Sequence, residues 1–134
     1  MLRKMMLSVL LFATITTVYT ASETEPIALT PPSQHWLVLG GTRGVAHALV
    51  TALAHNNIPC TVLVREAKKA RQYFGTNRTV TIVEGDAVAD YAALASAGSK
   101  ATHIFMGQTF PFKVFEQSER AMAEHCIRLA TQQN

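Results

Sequence analysis

The sequence predicts an α/β fold built on a parallel sheet, on the strength of three observations. Short apolar, β-branched segments alternate with segments of helical periodicity along residues 35–134. The links between them are short, as in sheets whose parallel strands are joined by right-handed helical crossovers. The chain of 134 residues is 49% apolar and 16% charged, which fits one globular domain with a core.

The first half of this region predicts two strand–helix pairs. Trp36–Leu39 is a short apolar run that ends in two glycines and predicts the first strand. Val45–Leu53 has apolar residues at helical spacing and is followed by the Asn56-Asn57 break, so it predicts the first helix. Ile58–Val64 predicts a second strand covered on both faces, and the charged segment Glu66–Phe74 predicts a helix with one exposed face.

The second half continues the same alternation. Val80–Val83 predicts a third strand, and the alanine-rich segment Val88–Ala97 predicts a helix. Ala101–Met106 predicts a fourth strand, and Phe112–Thr131 a long final helix. In the doubly wound arrangement the strands lie in the order 3-2-1-4 with helices on both faces, and ligands bind where that order reverses, above strands one and four.

The loop after the first strand has the pattern of a phosphate-binding loop. It reads Gly40-Gly41-Thr42-Arg43-Gly44-Val45-Ala46. Gly40 allows a tight turn off the strand, and Gly44 lets the backbone approach a pyrophosphate, which the N–H groups and positive end of the helix then bind. Ala46 keeps the helix close to the sheet. A glycine-rich run also fits a plain turn, but here strand, loop, helix and second strand follow within about 30 residues, as in a Rossmann dinucleotide site.

This motif resembles the cofactor loop of the short-chain dehydrogenase/reductase superfamily. The resemblance runs from about His35 to Asn134 and is nearest to the extended and atypical branches, including NAD-dependent epimerase/dehydratase-like proteins. Val64-Arg65 and Glu84-Gly85-Asp86 are further matches. Ala46 stands in place of the third glycine, and Leu39 in place of the threonine or similar residue that often precedes the first. The resemblance implies the N-terminal, NAD(P)-binding part of a Rossmann-like domain.

The end of the second strand bears on the choice of cofactor. An acidic residue there binds the ribose hydroxyls of NAD, whereas an arginine accommodates the 2′-phosphate of NADP. This chain has Arg65, which Arg43 and either Lys68 or Lys69 could join in a clamp of charge-assisted hydrogen bonds. We therefore expect NADP to be preferred, with NAD possible. The alternative is that both arginines are ordinary surface charges and Glu66 binds the ribose.

Two further pairs of residues are carried over from the resemblance. It implies that Asp86 hydrogen-bonds the adenine amino group and that Ala87 packs on the ring. Asp86 equally suits the N-cap of the helix predicted from Val88. Met106 and Gly107 resemble the turn that lines the nicotinamide ribose, and the alternative is a simple strand-ending glycine.

We predict no catalytic residue and no metal site. The resemblance implies a Tyr-x-x-x-Lys pair for proton transfer, but none of the three tyrosines is followed four residues later by a lysine. The five histidines show no ligand spacing. Cys60 and Cys126 lie in apolar stretches and predict buried free thiols.

The first 34 residues are predicted to precede the folded domain. Residues 1–21 have a basic start and an apolar run typical of a signal peptide or anchor, although about 17 residues are short for a membrane span. An over-called start codon and an ordinary apolar terminus are the alternatives. Residues 22–34 contain three prolines and predict a linker, so the Rossmann domain occupies residues 35–134.

Three functions stay open at this point, and a nucleic-acid partner is not among them. Without Arg3 and Lys4 the chain has 10 basic and 9 acidic residues, which is no basic footprint. The preferred function is the cofactor-binding half of an oxidoreductase or epimerase, truncated and not catalytic on its own. The second is a non-enzymatic NAD(P) sensor, and the third an exported interaction module that lost its cofactor.

The fourth strand would be an exposed edge, which predicts a homodimer or a complementary C-terminal half as partner. The signal-like start suggests export or membrane anchoring, whereas cofactor use argues for the cytoplasm. The substrate is not predicted.

Overall fold

The computed structural model describes residues 33–133. The signal-like segment 1–21 and all but the end of the linker 22–34 lie outside the described residues. Strands and helices alternate throughout the described chain. In chain order they are β1 (Trp36–Leu39), α1 (Gly44–His55), β2 (Cys60–Val64), α2 (Ala67–Phe74), β3 (Val80–Glu84), α3 (Tyr91–Ala97), β4 (His103–Met106), a 3-10 turn (Phe112–Val114) and α4 (Phe115–Gln132).

The four strands form one parallel sheet in the order β3-β2-β1-β4. In the middle of β1, Val38 lies between Val62 of β2 and Phe105 of β4. The chain therefore runs outward from β1 in one direction through β2 and β3, then crosses back to place β4 on the other side. This confirms the predicted α/β, Rossmann-like sheet and its strand order, and the order reverses between β1 and β4.

Helices cover both faces of the sheet. One core cluster joins α1 and α2 to the sheet, and a second joins α3 and α4 to the opposite face. Val38 faces the first cluster while its neighbours Leu37 and Leu39 face the second, because side chains alternate along a strand. All five residues of β2 are buried, as expected for a strand covered on both sides.

Two predicted boundaries were wrong by two or three residues. The helix predicted from Val88 begins at Tyr91, because Asp90 caps it by accepting a 3.0 Å hydrogen bond from the Ala93 N–H. The strand predicted from Ile58 begins at Cys60, directly after a proline that has no N–H to donate to the sheet.

The fourth strand and the last helix also differ from the prediction at their starts. β4 begins at His103, two residues after the predicted position. The last helix opens with the 3-10 turn, and Val114 (φ −120°, ψ 7°) separates that turn from α4. Differences of this size are normal where helices and strands fray.

Both cysteines are buried free thiols, as predicted. Cys60 belongs to the cluster beneath α1 and α2, and Cys126 to the cluster beneath α3 and α4. Burial raises the pKa of each thiol to about 11. The two sulfur atoms are thus separated by the sheet and kept protonated at neutral pH.

β3 and β4 are the edge strands of the sheet in the part of the chain that the structure describes. The predicted exposed edge at the fourth strand is therefore present. Large apolar side chains are exposed from the last residue of β4 to the first residue of α4: Met106, Phe112, Val114 and Phe115.

Within residues 33–133, none of the helices combines the length and the apolar character needed to cross a membrane.

Candidate functional site

A cleft of about 1090 Å³ opens at the carboxyl ends of β1, β2 and β4. Three segments line it: the glycine loop 40–46, the residues around the end of β2, and residues 105–109 at the end of β4. This is the point where the strand order reverses. Its volume is slightly above the usual range for small-molecule pockets, which suits a ligand as large as a dinucleotide.

The glycine loop follows a backbone path that requires glycine. Gly41 has a φ of +112°, a left-handed conformation that side chains rarely adopt. A Cβ on Gly41 would also come within 2.9 Å of Cγ1 of Val62, in the middle of β2. The loop can therefore lie directly on the sheet only because residue 41 has no side chain.

Gly44, the first residue of α1, is a glycine for a different reason. Its φ of +57° is left-handed, yet beyond its chain neighbours and the backbone of its own helix no atom lies within 4 Å of the place where a Cβ would stand. The space above the start of α1 is consequently open. Arg43, the N-cap residue, makes no side-chain capping hydrogen bond, and the first turn has no acidic residue. The positive end of this 12-residue helix is thus left uncompensated, which favours an anion there.

Ala46 joins the glycine loop to the end of β4. It is 1% exposed, and a Cβ built on Gly107 would come within 2.5 Å of the Cβ of Ala46. Helix α1 therefore packs against the chain just after β4, which brings Met106 and Gly107 into the cleft wall. Small residues at positions 46 and 107 allow this approach, as the sequence predicted for Ala46.

Three cationic side chains lie along the cleft: Arg43 from the loop, Arg65 from the end of β2 and Lys69 from α2. Glu66 is in the same wall, whereas Lys68 is exposed and outside it. Within residues 33–133 the cleft cations have no carboxylate partner, since the ion pair found there joins Arg120 to Glu116 on α4 at 3.6 Å. Positive charge is therefore available to a ligand at the β2 end of the cleft.

Asp86 and Ala87 lie outside the residues that line the cleft. The Asp86 carboxylate accepts hydrogen bonds from the backbone N–H groups of Val88 (2.8 Å) and Ala89 (3.3 Å). Ala87 is fully buried, and its carbonyl accepts a 2.8 Å hydrogen bond from His125 Nδ1. The helix N-cap role considered for Asp86 was wrong, because Asp90 caps α3 and Asp86 instead holds the turn that precedes it. Contact of either residue with adenine stays a prediction.

Sequence reasoning missed His47, which holds the glycine loop. The His47 Nδ1–H donates to the carbonyl oxygen of Gly41 at 3.2 Å. Its ring packs edge-on against Tyr73, with ring centroids 4.9 Å apart, and against Phe74. Because these aromatic residues belong to α2, His47 ties the loop to the neighbouring helix. Nothing in the local sequence distinguishes this histidine from the other four.

Gln108 is a second residue that the sequence did not indicate. It lines the cleft just after Gly107, and its Nε2 is buried without a hydrogen-bond partner among the described residues. Burying an unpaired donor costs about 1–3 kcal/mol. An unpaired buried donor beside a cleft calls for an explanation, and a ligand or an ordered water that supplies the missing acceptor is one. The glycine loop, the cations and this amide together fit an anionic, hydrogen-bonding ligand.

No protein-family model and no curated protein sequence matches this chain. Solved structures do resemble it. Pen from Bacillus thuringiensis has a TM-score of 0.62 at 18% identity, over 75% of this chain and 35% of that one. A structure assigned as a 3-oxoacyl-reductase, also from Bacillus thuringiensis, has a TM-score of 0.58 at 15% identity, over 72% and 50% of the two chains.

A third similar structure is assigned as an oxidoreductase of the short-chain dehydrogenase/reductase family, from Aeromonas hydrophila. Its TM-score is 0.54 at 16% identity, over 75% of this chain and 52% of that one. At such low identity these likenesses show the fold, which is Rossmann-like. This chain spans about half the length of these proteins or less.

Proposed function

We propose that this chain is an NAD(P)-binding Rossmann domain of the short-chain dehydrogenase/reductase superfamily, and that it prefers NADP. The convergence of the glycine loop, the unpaired cations and the Gln108 amide on one cleft carries the proposal. The similarity of the fold to two structures assigned as reductase or oxidoreductase supports it as an analogy. The motif's nearness to epimerase/dehydratase-like branches belongs to the same proposal.

Each part of the cleft suits one part of the cofactor. The first turn of α1, with the N–H groups of Gly44 and Val45, would bind the pyrophosphate. Arg43 and Arg65, joined by Lys69, would bind the 2′-phosphate of NADP. Residues 106–109 would line the nicotinamide end, where Gln108 donates a hydrogen bond. NADP, when bound, supplies hydride chemistry; the residues of this chain bind and orient it.

In this proposal the chain does not catalyse a reaction by itself. The Tyr-x-x-x-Lys pair that moves a proton in the superfamily is absent from the sequence. A second segment or partner chain would supply that pair and the substrate pocket.

A non-enzymatic NADP sensor is the second candidate, and the surface beside the cleft favours it. Phe112 is 97% exposed and follows the cleft residue Thr109 by three positions. Exposed aromatic residues so close in sequence to a ligand site suit a surface that binds a partner protein, with an affinity that depends on whether NADP occupies the site.

The test is a fluorescence titration with NADPH and with NADH. We expect NADPH to bind at least about 10-fold more tightly, because charge-assisted hydrogen bonds to the 2′-phosphate contribute roughly 1.5–3 kcal/mol. Arg65→Ala should remove most of this difference. Arg78→Ala is the matched control, since Arg78 is exposed in the turn before β3, at the opposite end of the strands. Equal affinities for both nucleotides, unmoved by Arg65→Ala, would overturn the preference for NADP.

A further inference from the structure

The turn between α2 and β3 contains the triplet Asn77-Arg78-Thr79. Asparagine followed by any residue except proline and then by serine or threonine is the acceptor motif for N-linked glycans. No other triplet in the 134-residue sequence has this form. The basic and apolar start of residues 1–21 is the kind of segment that directs a chain to the compartment where such glycans are added.

The hydrogen bonds of this turn suit the modification. Oδ1 of Asn77 accepts from the backbone N–H of Thr79 at 2.9 Å and from the Thr79 hydroxyl at 2.7 Å. The triplet is therefore held in an Asx turn, with the hydroxyl on the amide oxygen. Such a hydrogen bond draws electron density from the amide and eases loss of a proton from Nδ2. Both bonds use Oδ1, which leaves Nδ2, the atom that a glycan modifies, outside them.

The position of the turn leaves room for a large substituent. Gly75, Thr76 and Arg78 are exposed, and Asn77 is half-buried. β3, which begins at Val80, is an edge strand, so no further strand of the described chain covers the turn. The cleft lies at the carboxyl ends of the strands, whereas Asn77 precedes the amino end of β3, and a five-residue strand is about 16 Å long. A glycan there would leave the cleft accessible.

We propose that Asn77 is an N-glycosylation site. The bond that forms joins Nδ2 of Asn77 to the anomeric carbon of an oligosaccharide carried on a lipid diphosphate. The bond from that carbon to the diphosphate oxygen breaks, its electron pair stays on the lipid diphosphate that leaves, and Nδ2 loses one proton to solvent. No oxidant or reductant takes part. The two buried thiols, on opposite faces of the sheet, are compatible with an oxidising compartment because neither can reach the other.

The test uses the full chain with its own N-terminus, expressed in a eukaryotic secretory cell. The purified protein is treated with peptide N-glycosidase in ¹⁸O-labelled water and analysed by electrophoresis and peptide mass spectrometry. We expect a loss of apparent mass on treatment and a labelled aspartate at position 77. Asn77→Gln and Thr79→Ala should each abolish the shift, whereas Thr79→Ser should keep it because serine supplies the hydroxyl. Asn56→Gln, outside any acceptor triplet, should also keep it.

An unmodified Asn77 would overturn the proposal, whether the chain has entered the secretory pathway or stayed in the cytosol. A glycan that persists in Thr79→Ala would overturn attachment at this triplet. The Thr79→Ser variant changes the same side chain but keeps the acceptor triplet, so a glycan on it shows that Thr79→Ala lost its glycan through loss of the triplet and not through misfolding. NADPH titration of the same glycosylated preparation reports on the cleft alone, so the outcome for Asn77 is independent of the proposed function.

Discussion

Replacing Gly44 by alanine would separate folding from ligand binding at the glycine loop. Gly44 has a φ of +57°, which costs an alanine about 1–2 kcal/mol. No clash with the rest of the protein is added, because beyond the chain neighbours and the backbone of α1 nothing lies within 4 Å of the new Cβ. The free energy of unfolding should therefore fall by only about 1–2 kcal/mol, and each kcal/mol corresponds to roughly 4–8 °C in Tm for a domain of this size.

The substitution should weaken the free energy of NADPH binding by more than it lowers the free energy of unfolding. The alanine methyl group would enter the open space above the start of α1, where we propose that the pyrophosphate lies. A phosphate oxygen binds an N–H group at an N···O distance of about 2.9 Å, which the methyl group would prevent. Losing one charge-assisted hydrogen bond of roughly 1.5–3 kcal/mol raises the Kd about 10- to 100-fold.

Both quantities can be measured on the same protein. Trp36 is the only tryptophan of the chain and stacks on His103 with ring centroids 4.6 Å apart, so its emission should report denaturant unfolding. Ile82→Val is a control of matched stability: this partly buried residue of β3 packs on the first core cluster, and the change should cost about 0.5–1.5 kcal/mol. Unchanged NADPH affinity in Gly44→Ala, or a loss of stability above about 3 kcal/mol, would refute the reasoning.

The remaining predictions concern Gln108, the two thiols and His35. Gln108→Met should stabilise the ligand-free protein by about 1 kcal/mol, since it removes an unpaired buried donor, and should weaken NADPH binding; denaturation with and without NADPH measures both. Cys60 and Cys126 should resist a thiol reagent at pH 8 until the protein unfolds, because their pKa is about 11; rapid labelling of the native protein would contradict their burial. Burial, together with Lys100, lowers the pKa of His35. Below about pH 6.5 the unfolded chain therefore binds more protons than the folded protein, so the free energy of unfolding should fall as the pH drops through that value. His35→Gln should flatten this dependence in denaturation measured from about pH 7 to 5.

The thiols add a second pH dependence, at the alkaline end. Their folded pKa of about 11 lies above the pKa of 9.0 that an unburied thiol has. Their contribution to stability is therefore complete below pH 9 and is lost as the pH rises from there towards 11. Replacing both thiols by serine should remove this decline, although the buried hydroxyls lower stability at every pH.

The strands and helices followed from the sequence because the signals that predict them are local, and the order of the strands followed from the doubly wound arrangement that such an alternation forms. The short, β-branched apolar run Cys60–Val64 is typical of a strand covered on both faces, and the charged segment after it is typical of a surface helix. The glycine loop was equally visible, since its position between strand and helix defines its role. The first residues of β2 and α3 were predicted wrongly. Ile58 suits a strand as well as Cys60 does, and Asp86 suits a helix N-cap as well as Asp90 does, so the sequence alone did not show where each element begins.

Sequence by itself therefore determined the fold class, the loop Gly40–Ala46 and the nearby cations, all of which depend on residues close together in the chain. Only the tertiary structure decided that Gly107 packs on Ala46, that His47 ties the loop to α2 and that Gln108 Nε2 has no partner. The physical reason is distance along the chain. These contacts join segments as far apart as α1 and the end of β4, and whether a buried donor is paired depends on how whole helices pack on the sheet.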